Sequence, residues 1–177
     1  MPFLRAFTFV SLLLALAPAA WAHYLWVNVD PNGGEHGVVD VYFEESARPG
    51  DGKYLDPFVK HGKTWLRTID QPNPRLIEMK ETKRDDLRWL SAPAPAGQPR
   101  SIDSYGKFGV YRYGQTDVLL HYYARQLQVT THDHLHELSR ADQLDLDIVP
   151  HDDGDEMQLT VLWRGKPAAG QRVFIYG

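Results

Sequence analysis

Three histidines at alternate positions, His132, His134 and His136, followed by Glu137, form the densest group of metal-ligating side chains in the sequence. On an extended backbone alternate residues project to one side, so all three imidazoles could meet one cation; on a helix they would scatter. Short histidine-rich tracts are a compositional hint of metal capture. Asp133, Ser139, Arg140 and Asp142 around them describe a hydrated linker equally well. His23 offers a different chemistry. It follows Ala20-Trp21-Ala22, the small-residue pattern of a signal-peptidase site, and cleavage there would leave an α-amine and an imidazole on one residue. Near neutral pH both nitrogens can shed protons and chelate. One further imidazole would complete a planar three-nitrogen set suited to Cu(II) or Ni(II). His121, in the middle of an alternating strand, and His36, in the turn-forming stretch Pro31 to Gly37, are the candidate partners, although either could equally be a solvated surface histidine.

Other constellations are weaker. The run His151 to Glu156 resembles a calcium loop in composition only, because an EF-hand needs ligands at alternate positions and a glutamate twelve along; a tight acidic turn between strands is the better reading. Glu44 and Glu45 point to opposite faces of a strand and cannot flank one bond as acid and base. No Gly-x-Ser-x-Gly elbow, phosphate-cradling loop or His-Glu-x-x-His signature occurs, so no catalytic residue is assigned. Trp26, Trp65 and Trp89 could stack on a sugar ring if exposed, but large rings more often fill an all-β core.

The elements that must position these side chains read as short strands broken by Gly, Pro, Asn and Asp. In "GVVDVYF", Val39, Val41 and Phe43 share one face; in "DVLLHYYAR", Val118, Leu120, Tyr122 and Ala124 share one face and His121 lies on the other. "KFGVYRY" joins the latter through Gly114-Gln115-Thr116, short enough for a hairpin. "YLWVNV", "TWLRTI", "RLIEMK", "DLRWL", "LDLDIV", "EMQLTVLW" and "QRVFIY" complete the strand set, and proline-rich "SAPAPAGQPR" is expected as an extended surface connection. "THDHLHELSRADQ" loses the alternation and reads as a linker or a short helix. The expected class is all-β, a sandwich.

The first 22 residues, with Arg5, the apolar run "FTFVSLLLALA" and a small-residue site, read as a secretory signal, shorter than a membrane span. The expected location is therefore the periplasm or the exterior, with no membrane span in the mature chain. The formal net charge of −4 argues against nucleic acid as a partner, since phosphate contacts need clustered Lys and Arg. Absence of cysteine excludes a disulfide framework and a cysteine nucleophile.

Four stretches, "AHYLWV", "YGKFGVYRYGQTDVLLHYYAR", "LDLDIVP" and "VLWRGKPAAGQRVFIYG", together resemble the periplasmic NikM-like domain-of-unknown-function family associated with nickel or cobalt uptake. The resemblance implies an immunoglobulin-like or transthyretin-like β-sandwich, expected over residues 23–130; the residue pattern adds a histidine-rich linker over 131–142 and, over 143–177, strands of a second β module cut short or strands that complete the first. The resemblance also implies a non-enzymatic metal-binding or metal-delivery role for a divalent transition metal (Cu, Ni or Co), with a membrane metal transporter or another envelope protein as partner. Metal ligands are expected among His23, His121, His36, His132, His134 and His136. Two alternatives remain: a copper-dependent oxygenase with an N-terminal histidine brace, similar to lytic polysaccharide monooxygenases, and a metal-free structural or adhesive sandwich.

Overall fold

The computed structural model describes residues 22–175. The proposed leader lies almost wholly outside the described residues. The chain is all-β, built from antiparallel strands in three sheets. One four-stranded sheet has the order β1-β2-β6-β5, from β1 (Tyr24–Asp30), β2 (Val38–Glu44), β5 (Lys80–Arg84) and β6 (Leu87–Pro93). The facing sheet has the order β4-β3-β7-β8, from β3 (Lys63–Thr68), β4 (Arg75–Ile77), β7 (Arg100–Tyr113) and β8 (Thr116–Gln128). A third sheet follows, β11-β10-β9, from β9 (Leu146–Asp153), β10 (Glu156–Trp163) and β11 (Lys166–Pro167). Two short helices, α1 (Asp56–His61) and α2 (His132–Leu138), interrupt the strands.

Period-two alternation builds the sandwich core. Val39 on β2 packs with Val29, Ala92, Leu66 on β3 and Ile102 on β7, while Val41 and Phe43 pack with Leu25, Leu90 and Phe58 in a second cluster. Phe58 of α1 is buried beneath the sheets, and each such ring contributes about 1.5–3 kcal/mol. Gly106 on β7 makes room for it, since a Cβ there would stand 2.1 Å from the Phe58 ring.

Several expectations need correction. "RLIEMK" is not one strand: β4 pairs with β3 and β5 pairs with β6, so the chain crosses from one sheet to the other at Glu78 and Met79, and Met79 packs against both halves of the core. The proline-rich connection is partly in the sheet, because β6 runs through Pro93, its last residue, opposite Val38 at the start of β2 and beyond the final β5 pair at Ser91, where a missing N–H does little harm. Within "QRVFIY", residues 171–175 form no strand; β10 pairs instead with the two-residue β11.

The third sheet has two unlike faces. Leu146, Ile148 and Pro150 on β9 lie opposite Trp163, Val161 and Leu159 on β10, giving one apolar face that is half exposed. The other face carries Asp147, Val149 and His151 and lies against α2.

Candidate metal centre

Residues 132–138 are helical, so His132, His134 and His136 do not line up as alternate residues of a strand would. Thr131 caps the helix by accepting the His134 N–H at 3.2 Å, and Leu135 and Leu138 turn inward as its buried side. Four-residue spacing then brings His132 and His136 onto one helix face, while His134 turns aside to Thr130 Oγ1, 3.3 Å from its Nδ1. The third imidazole comes from β9. His151 stands 4.6 Å from His136 and 5.6 Å from His132, ring centroid to ring centroid, and His132 and His136 are 4.3 Å apart.

Three imidazoles bound to one tetrahedral ion at ~2.0–2.1 Å hold their ring centroids roughly 5 Å apart. The three observed separations bracket that value. Among the described residues no group of three or more His, Asp or Glu side chains could hold a metal ion as placed; the three rings pack edge to face, at 65° to 74° to one another. What matches coordination is the spacing; the ring turns are soft. Histidine χ2 is a broad torsion, and His132 and His136 are exposed, so binding would require these rings to turn out of their edge-to-face contacts.

A buried ionic network fixes α2 against β9. Asp103 on β7, with 0 % side-chain exposure, accepts from Arg67 Nε at 3.3 Å and from Arg125 Nε at 2.7 Å. Arg67 also donates to the Leu138 carbonyl at 2.9 Å, and Arg125 donates to the Ser139 carbonyl, so both guanidiniums cap the end of α2. Asp147 at the start of β9 receives the Ala141 N–H at 2.8 Å. Arg125 Nη2 also approaches it at 2.8 Å as an ion pair without hydrogen-bond alignment. Two arginines and two aspartates balance, which is what lets the group stay buried. His151 lies on the same face of β9 as Asp147, so the network sets the histidine spacing from below.

The other sequence candidates are dispersed. His36 is at the β1–β2 turn, whereas the register Tyr24 to Glu44 places His23 at the opposite end of that hairpin. The hairpin therefore separates the two. The backbone carbonyl of His36 accepts from Arg100 Nη2 at 3.1 Å; Arg100 is 1 % exposed, and burial pushes its guanidinium below its ordinary pKa. That contact anchors the turn. His121 is on the outer face of β8, where Nδ1 meets the Tyr105 hydroxyl at 2.9 Å. Tyr122, its neighbour on the inner face, is the residue that shares a basin with His23. The rings beside His23 are Phe43 and Tyr54, at 5.8 and 5.0 Å between centroids. His121 thus cannot serve as the partner of His23 without crossing its own sheet.

His151 and the charged network are the parts of this candidate site that the sequence leaves unassigned. Alternation in "LDIVPH" does put Asp147, Val149 and His151 on one strand face, but nothing local says that this face meets a helix. The acidic run is a tight turn, with Gly154 at φ 69° between β9 and β10, and its first residue belongs to the strand.

Comparison of the chain with protein-family models, with curated proteins and with solved structures finds no match. Among the described residues no helix is long and apolar enough to cross a membrane.

Proposed function

We propose that this protein is a non-catalytic metal-binding and metal-delivery domain of the cell envelope, holding one divalent transition ion (copper, nickel or cobalt) at His132, His136 and His151. The observation that carries this reading is the mutual approach of three imidazoles from two separate elements, at centroid distances of 4.3, 4.6 and 5.6 Å. A helix pair plus one strand residue makes a facial, non-planar set. Such a set suits Co(II) geometrically, while the general affinity order favours Cu(II) over Ni(II) and Co(II). Two of the three rings are exposed, which leaves an outer position for water or for a ligand from an acceptor. An accessible, partly assembled site favours exchange over permanent storage, and a membrane metal transporter is the acceptor that fits. The N-terminal brace and the oxygenase reading receive no support from the placement of His23 among aromatic rings.

Titration of chelator-stripped protein with Co2+, Ni2+ and Cu2+ tests the proposal. One equivalent should bind, His151→Ala should weaken binding by about ten-fold or more, and His134→Ala should match the unaltered protein. Equal effects of the two substitutions would refute the assignment.

A further inference from the structure

We propose that the overhanging end of the β7–β8 hairpin is a binding site for a neutral saccharide. β7 and β8 run for 14 and 13 residues, whereas β1 and β2 of the facing sheet have seven each. β3 leaves β7 at Tyr105, so beyond that point the hairpin has no neighbouring strand on that edge among the described residues. A bulge between Lys107 and Gly109, with Gly109 at φ 126°, re-aims the strand there. Beyond it the inward positions are Tyr111 and Tyr113, whose ring centroids are 4.7 Å apart.

These rings, with Phe43, Phe108, Tyr54 and His23, enclose an open basin of about 620 Å³. That lies within the ~300–1,000 Å³ typical of small-molecule sites. Tyr54, Tyr111 and Tyr113 are 40 %, 49 % and 57 % exposed, unusual for three large rings grouped together in one concavity. Among the described residues the basin is lined by no Asp, Glu, Lys or Arg. Lys53 sits over the Tyr54 ring, 5.1 Å from its centroid, but is not part of the lining. Apart from His23, with the amine that cleavage before it would add, nothing in the lining would pair with an anion, and a desolvated cation would find no counter-charge, so the mainly aromatic surface favours a neutral ligand.

Ring faces carry negative charge density and attract the weakly positive C–H groups on one face of a pyranose. The phenol hydroxyls of these exposed tyrosines both donate and accept, matching sugar hydroxyls, whereas a purely apolar ligand would leave any it covered unpaired. The indoles suggested by the sequence do not supply this surface. Trp89 is 8 % exposed with its N–H on Asp40 at 3.0 Å, and Trp26 donates to the Glu44 carbonyl at 3.0 Å. Tyrosines do so instead. The basin shares no residue with the three-histidine group, so it stands independently of the metal reading.

Calorimetric titration of the full chain with cellotetraose and chitotetraose tests this, with tetramethylammonium and phenol as comparison ligands. A neutral oligosaccharide should bind; Tyr111→Ala/Tyr113→Ala should lower affinity by about ten-fold or more. His132→Ala/His136→Ala should bind it as the unaltered protein does. The tyrosine variant should keep its circular dichroism and melting temperature, since both rings are half exposed; if it does not, Tyr111→Phe/Tyr113→Phe, which removes only the hydroxyls, should still weaken binding several-fold. The proposal is overturned if neither oligosaccharide binds, if the tyrosine variants bind equally well, or if only tetramethylammonium or phenol binds.

Discussion

Asp103 has no exposed side-chain surface and holds Arg67 on one carboxylate oxygen and Arg125 on the other, with Gln143 donating at 2.6 Å. Its replacement by alanine leaves two guanidiniums buried beside a single aspartate, so Asp103→Ala should cost about 3–5 kcal/mol in denaturant unfolding. A loss under 1 kcal/mol would show that water reaches the network. Gly106→Ala is the matching test of packing: the added methyl meets the buried Phe58 ring, and a loss of about 1–3 kcal/mol is expected. At this scale the sequence shows which residues can ligate but not which meet. His132 and His136 are legible as a pair once residues 132–138 are known to be helical, while His151 is joined to them only by tertiary packing.

α2 is a seven-residue helix, too short to persist alone, and it is held by its Thr131 cap, by Leu135 and Leu138, and by the arginines on its last carbonyls. Thr131→Ala should remove about 1 kcal/mol of helix stability. Because two of the proposed ligands ride on this helix, metal affinity should fall roughly five-fold in the same variant. Unchanged affinity would mean that the histidines do not depend on helix order. Most strands are legible because their alternation is clear: β2 buries Val39, Val41 and Phe43 as the pattern requires. β5 is not, since "KETKR" has no apolar residue and joins its sheet only as an edge strand beside β6. Residues 131–142 leave linker and helix open on local grounds, because two leucines make barely one apolar turn. Elsewhere, Arg88 on β6 ties β5 and α1 together, donating to Glu81 at 2.8 Å and pairing with Asp56 at 2.6 Å. Its guanidinium and Lys83 hold the Glu81 carboxyl down at about 2, so this tie is complete above the ordinary glutamate range and is lost only as pH falls towards that value.

In the whole molecule the three histidines span the joint between the sandwich and the third sheet, since α2 follows β8 and His151 belongs to β9. An ion held by both elements stabilises the folded chain; at a free concentration a hundred times the dissociation constant the gain is about 2.7 kcal/mol. Hydrogen exchange should slow along β9 on metal addition, and His151→Ala should abolish that protection. The all-β sandwich class is readable from strand spacing and turn residues. The positions where sheets exchange strands are not, because they depend on contacts such as those of Met79 with both halves of the core. X-ray absorption of the Co2+-loaded protein most directly tests the central claim. Three imidazole nitrogens around the ion, falling to two in His151→Ala and staying at three in His134→Ala, are predicted; a shell of oxygens, or one that His151→Ala leaves intact, would contradict it.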